Sequence, residues 1–234
     1  MSRNRQRGLE LIETLQDYSL DVKNREIYLS GHPEAQLPET DIEPGVEFLM
    51  ATRFIKNIRW LSTTSKDPIL VHMKTCGGYW EEGMAIYDAI QFCPCYVVIL
   101  SYTHARSMSS LVIQAADSRI LMPNSYFLYH HGGYGYQGTF KGADSNMEWA
   151  KRVQTPTMVG IYAERMKKTP HSQYKKWGPQ RIKDKLMKDM DKKEDVFLTP
   201  EEAVKYGLAD AVFNGDWEAL KNGQLNPKEE NLIK

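Results

Sequence analysis

Apolar positions recur along the chain in two alternating periods. From Val46 they fall at 46, 49, 50, 54, 58 and 61, the spacing of a helix that buries one face. Turn-forming residues 62–67 end that run, and PILVHM, 68–73, reads as a strand. Lys74-Thr75-Cys76-Gly77-Gly78 follows, then a helical pattern through Met84, Ile86, Tyr87, Ile90 and Phe92. The same order returns at once: a β-branched run from Tyr96 to Leu100, a short polar turn carrying Ser107, and a small, apolar segment to Ala116 that suits a helix. Repetition of strand, turn and helix predicts βα units on a largely parallel sheet, with the functional turns gathered at the carboxyl ends of the strands.

Flanking segments are less regular. Residues 8–17 support a short amphipathic turn, and REIYLSG, 25–31, reads as a first strand ending at glycine. The proline-rich stretch 32–45 fits neither period and is expected to be a surface loop. SRILM and YFLYH are two further strands around a Pro123-Asn124-Ser125 turn, the second ending at His130 and His131. The glycine-rich 131–142 is expected to be an exposed, extended, ligand-facing segment. A long polar helix then runs to about Lys168, bent or broken at Pro156. Residues 180–193 are charged enough to be a solvated helix. Thr199-Pro200-Glu201-Glu202 opens a short helix with a capping box, and Gly207 closes it. The tail from Asn222 is expected to fray.

Composition narrows the classes. The 234 residues are 41% hydrophobic and 26% charged, ordinary for one soluble domain with decorations. Thirty basic side chains balance thirty acidic ones, so no global field draws the chain to nucleic acid or to an anionic membrane. Arg3, Arg5 and Arg7 are expected to be a disordered tip rather than a binding arm. No apolar run reaches membrane-span length and no secretory h-region is present, which predicts a cytoplasmic protein. Three cysteines fit no disulfide framework, and Cys93-Pro-Cys95 lacks zinc-site spacing, so reduced thiols, no metal and no cofactor are expected.

Ser107 is where chemistry is expected. A strand feeding straight into a helix leaves unpaired N–H donors at the turn, which favour an attacking oxygen and the oxyanion it generates. The competing reading of a lone serine there is a helix N-cap. A serine nucleophile also needs a base and a group that orients the base. His130 ends a strand at a place that can face Ser107, while His131 points to the opposite face. Asp189, Asp191, Glu194 and Asp195 compete for the orienting role, and the residues alone leave that choice open.

Several ordered motifs carry a resemblance: REIYLSG, GGYWEEGMAIYDAIQF, ARSM around Ser107, LMPNSYFLYHH, GYQG and DVFLTPEEAVKYGLAD. Together they resemble the ClpP family, the proteolytic subunits of Clp-type serine proteases, over about residues 18–213. The resemblance implies a ClpP/crotonase-like α/β fold of repeated ββα/βα units with a protruding helical handle. It divides the chain into an N-terminal segment (1–17, a propeptide or axial loop), a peptidase domain (18–215) and a tail (216–234).

It also implies a Ser107–His130–Asp195 triad, an oxyanion hole from the Gly78 and Met108 amides, and a substrate-binding strand including Gly132, Gly133, Tyr136, Gln137 and Gly138. The implied activity is ATP-dependent endopeptidase cleavage of unfolded polypeptides. It would take place inside paired seven-membered rings, a tetradecamer served by a Clp-type ATPase unfoldase that docks at Leu70, His72 and Phe92. The chain departs from the family at Arg106, where the family has alanine, and at Gly132, where it has proline. A catalytically silent subunit of a mixed ring is the alternative, and an acyl-CoA enzyme on the same fold is a third reading.

Overall fold

The computed structural model describes residues 3–31, 43–133 and 135–225, apart from the side chains of 3–7 and 9. Most of the expected loop 32–45 and the tail beyond 225 lie outside the described residues. Helix α1 (Arg3–Tyr18) leads into β1 (Leu20–Asp21) and β2 (Glu26–Ser30). It is longer than the short turn expected, and it begins within the arginine-bearing segment expected to be disordered.

Helix α2 (Phe48–Thr64) starts where Glu47 accepts hydrogen bonds from the Leu49 and Met50 amides, and it buries Met50, Phe54, Ile58 and Leu61. Strand β3 (Ile69–Lys74), helix α3 (Trp80–Gln91) and strand β4 (Val97–Ser101) follow as the periodicity predicts. The polar turn after β4 contains more than expected: β5 (His104–Arg106) stands between β4 and the short helix α4 (Met108–Val112), which a 3₁₀ turn extends. Strands β6 (Ser118–Leu121) and β7 (Tyr126–Tyr129) flank a turn held by Ser125, whose amide and hydroxyl both donate to the Met122 carbonyl.

Helix α5 (Phe140–Trp149) is joined to α6 (Thr155–Lys168) by a π-helical turn at Ala150–Gln154. Pro156 sits in the first turn of α6, so the expected interruption is a widened turn: the proline ring cannot share space with the carbonyl four residues back. Helix α7 (Pro179–Lys193) corrects the solvated-helix expectation, because Ile182, Leu186 and Met190 form a buried i, i+4, i+8 stripe. Its charged residues cover only the remaining faces. Strand β8 (Val196–Leu198) precedes α8 (Pro200–Tyr206), whose Thr199–Glu202 capping box and left-handed Gly207 match expectation. Strand β9 (Ala211–Val212) and α9 (Trp217–Lys221) complete the described chain.

The strands form two sheets. The larger has the order β1-β2-β3-β4-β6-β9, parallel except for β1, and the smaller has the order β5-β7-β8. In the small sheet β7 runs parallel to β5 and antiparallel to β8. Central strands β3 and β4 are almost wholly buried, as parallel strands covered on both faces must be. One core joins Phe54, Ile86, Ile99, Phe127, Tyr162 and Leu186; a second lies on the other side of the sheet, where Leu220 and Leu225 cover Leu70, Val98, Leu100 and Ile120. Buried Arg119 closes the seam, pairing with Asp210 and donating to Gln114, Thr169 and the Gly207 carbonyl. Among the described residues no helix is long and apolar enough to cross a membrane, and the three cysteines are free.

Candidate active site

Ser107 occupies the N-cap position of α4, yet its side chain makes no cap hydrogen bond. Its backbone, at φ 51° and ψ −130°, lies where non-glycine residues are strained by roughly 1–3 kcal/mol. The surroundings hold it there. Its carbonyl accepts from the Ser110 amide at 3.0 Å and the Ser110 hydroxyl at 2.6 Å, and that hydroxyl lies 2.6 Å from the buried Tyr162 phenol. The hydrogen bonds of this turn go to the carbonyl, and the Ser107 hydroxyl takes no part in the cap. Such turns aim a hydroxyl away from the backbone.

Gly77 shows how closely β3 approaches this turn. Its φ is +97°, and a Cβ there would meet Ser107 Cβ at 2.7 Å and the Met108 amide nitrogen at 2.8 Å. At Gly78 (φ +150°) a Cβ would meet the Val46 carbonyl oxygen at 2.2 Å and its nitrogen at 2.4 Å. Only glycine fits either position. Val46 bridges this strand end by donating to the Gly77 carbonyl and accepting from the Tyr79 amide. The Gly78 amide is passed over in that pattern, and the Met108 amide opens a helix, where no intrahelical acceptor exists.

The small sheet brings the other groups to one face. Register pairs Arg106 with Leu128 and Leu128 with Phe197, and alternation then sets Tyr126, Leu128 and His130 on the same side as Arg106, Phe197 and Asp195. His130 Nδ1 lies 2.9 Å from Asp195 Oδ1. A carboxylate only accepts, so Nδ1 carries the hydrogen and Nε2 the lone pair. That Nε2 is buried and, among the described residues, has no hydrogen-bond partner, Ser107 included.

Three of the four competing carboxylates have separate side-chain partners. Asp189 accepts from the Tyr129 hydroxyl and pairs with Lys185, and the desolvated Tyr129 phenol is pushed far above its ordinary value. Asp191 takes His131 Nε2 at 3.0 Å. Glu194 is the strained C-cap of α7 at φ 59°. Asp195 alone meets His130. A serine hydroxyl outside its helix cap and an imidazole backed by a carboxylate are the kinds of group that pass a proton from oxygen to nitrogen.

Gly132, Gly133, Tyr136, Gln137 and Gly138 lie beyond β7 in an exposed stretch outside both sheets. Tyr136 folds back so that its hydroxyl sits over Gly138 and Gly142. Of the expected docking residues, Leu70 and His72 are buried and Phe92 is 86% exposed. His72 stacks on Tyr28, lies 2.8 Å from the Tyr102 hydroxyl and 3.2 Å from Glu26, and burial pulls its pKa below the ordinary value.

Two features escaped the sequence reading. Tyr162, more than fifty residues downstream, anchors the Ser107 turn through Ser110 with no local signal. Glu43, from a loop without periodicity, contacts buried His104 at 2.8 Å and Lys74 at 3.0 Å.

The profile of one family, described as Clp protease, matches residues 39–216, most of the chain, with Ser107, His130 and Asp195 inside the match. The chain belongs to the Clp protease family. Among curated Clp protease relatives, ATP-dependent Clp protease proteolytic subunit 2 of Pseudomonas aeruginosa is 29% identical over 215 residues, covering 90% of each chain. The ATP-dependent Clp protease proteolytic subunit of Deinococcus radiodurans is 30% identical over 172 residues, 72% of this chain and 76% of its own. That of Carsonella ruddii is 25% identical over 202 residues, 86% and 89% respectively. Together with the mixed α/β architecture, these identify a divergent Clp protease subunit.

Proposed function

We propose that this Clp protease family member is a serine endopeptidase subunit using Ser107, His130 and Asp195. The observation that carries the reading is the His130–Asp195 pair, 2.9 Å apart on the small sheet whose strand β5 runs directly into Ser107, a serine whose side chain takes no part in its own helix cap. Ser107 Oγ attacks the scissile carbonyl while its proton passes to His130 Nε2, and Asp195 stabilises the resulting imidazolium. The Gly78 and Met108 amides receive the oxyanion. As the tetrahedral intermediate collapses, His130 returns the proton to the departing amine, and water then releases the acyl group by the reverse sequence.

The relatives' names suggest the wider setting, the proteolytic subunit of an ATP-dependent Clp protease; assembly in rings that receive chains from a Clp-type ATPase is what the family resemblance adds. The exposed residues 132, 133 and 135–138 belong to the segment on which an unfolded polypeptide would lie, captured through backbone groups. A second reading, a catalytically silent ring subunit, is favoured by one observation, the missing hydrogen bond between Ser107 and His130 Nε2.

A fluorophosphonate probe separates the two. Labelling at Ser107, with hydrolysis of unfolded casein that disappears in Ser107→Ala while the fold and particle mass persist, is the expected result. An unlabelled wild-type particle would assign the silent role.

A further inference from the structure

Arg106 stands immediately before the candidate nucleophile, and its surroundings leave its charge unanswered. By register it belongs to the row Arg106–Leu128–Phe197, one pleat, roughly 7 Å, from the row that holds His130 and Asp195 on the same outer face. Its Nη1 reaches the Tyr126 hydroxyl at 3.4 Å, a long and neutral contact, and the Cys76 thiol is the other polar side chain against the guanidinium. It is half-buried and has no carboxylate partner among the described residues. The nearby basic side chains are otherwise accounted for: Lys74 at 3.0 Å and His104 at 2.8 Å both turn to Glu43. Glu43 is thus committed to two basic groups, and the guanidinium is the excess positive charge at this edge of the site. In the same row Phe197 is 58% exposed, which offers an apolar wall beside that charge.

We propose that Arg106 forms a subsite for an acidic side chain of the peptide substrate, close to the scissile bond. A guanidinium fixed at the base of its row by Tyr126 presents its remaining N–H groups as a planar fork, the geometry that recognises a carboxylate through two bonds. Phe197 covers the methylene groups of the same side chain. The subsite gives preference on one side chain, while backbone capture along 132–138 leaves the rest of the sequence unselected. This inference rests on the peptidase reading, and its test is arranged so that the two fail separately.

The experiment uses the full-length assembled protein and N-acetylated, C-amidated, internally quenched peptides with Asp or its isostere Asn at each position around the cleavage point. Blocked ends leave the side chain as the carboxylate presented. The expected result is one position at which Asp exceeds Asn about tenfold in kcat/KM at low salt, an advantage that shrinks as salt is added. Arg106→Gln should bring the ratio to one, and Arg106→Glu should reverse it and favour Lys. Equal cleavage of Asp and Asn peptides at every position, with Ser107 still labelled by fluorophosphonate, overturns the subsite and leaves the peptidase intact. An unchanged Asp/Asn ratio in Arg106→Gln together with a changed particle mass overturns it too, assigning Arg106 to contacts between subunits. Failure of Ser107 to label at all removes the peptidase reading and this inference with it.

Discussion

Replacing Asp195 with Asn tests the chemistry and the structure at once. The isosteric change keeps the shape of the pair but lets the side-chain amide donate to Nδ1, which stabilises the tautomer whose Nε2 already carries hydrogen and cannot accept one from Ser107. Where the carboxylate is buried, that change costs about 10⁴ in turnover, roughly 5.5 kcal/mol of barrier. Here the Asp195 side chain is 49% exposed against 22% for His130, so water competes for both groups and the expected loss is smaller, roughly 10²–10³. The same exposure makes the pair worth only ~0–1 kcal/mol to folding, so Tm should move by no more than roughly 2–4 °C. Measuring kcat/KM on a quenched peptide beside a thermal melt reads both numbers. Retention of more than a tenth of wild-type activity with an unchanged melt would refute the assignment of Asp195 as the group that orients His130.

Gly78→Ala should lose activity at least about 100-fold and labelling of Ser107 with it, because a methyl 2.2 Å from the Val46 carbonyl must displace backbone, which has no rotamer to yield. Probe labelling at the wild-type rate would contradict this. Asp210→Ala strands the guanidinium of Arg119, which is 3% exposed, and should destabilise by about 3–5 kcal/mol in a chemical melt; a loss under about 1 kcal/mol would show that Gln114, Thr169 and Gly207 suffice. His72 and His104 both have pKa values lowered first by burial, against the opposing pull of Glu26 and Glu43. The unfolded chain therefore binds protons, near pH 6.5, that the folded chain still refuses. Stability should fall as pH drops below about 6.5, and His72→Gln or His104→Gln should flatten the slope of Tm against pH; identical slopes would exclude these groups.

Much of this arrangement was legible where local rules act alone. The strand, Gly-Gly and helix order, the capping box at Thr199 and the left-handed Gly207 are each set within a few residues, and each appears where its residues predict. Strand β5 was not legible, because three residues in a polar turn carry no period and it exists only through pairing with β7. Nor was the buried stripe of α7, where lysines and aspartates outnumber the three apolar residues that decide its position.

For Ser107 the sequence supported capping and chemistry alike. A backbone angle and a carbonyl taken by Ser110 weigh against the side-chain cap, and residue type encodes neither. The choice among Asp189, Asp191, Glu194 and Asp195 depended likewise on where α7 ends relative to β7, a distance in space between segments some sixty residues apart.

The π-turn between α5 and α6 has a consequence for what the handle displays. One surplus residue in a helical ladder advances everything beyond it by about 100° around the axis. The side of the rod that α6 presses inward through Met158, Tyr162 and Met166 is thus not continued into α5, which turns Phe140, Met147 and Trp149 toward solvent. Deleting a single residue from 150–154 would rotate those three large side chains to another bearing while leaving the protein's interior as it is.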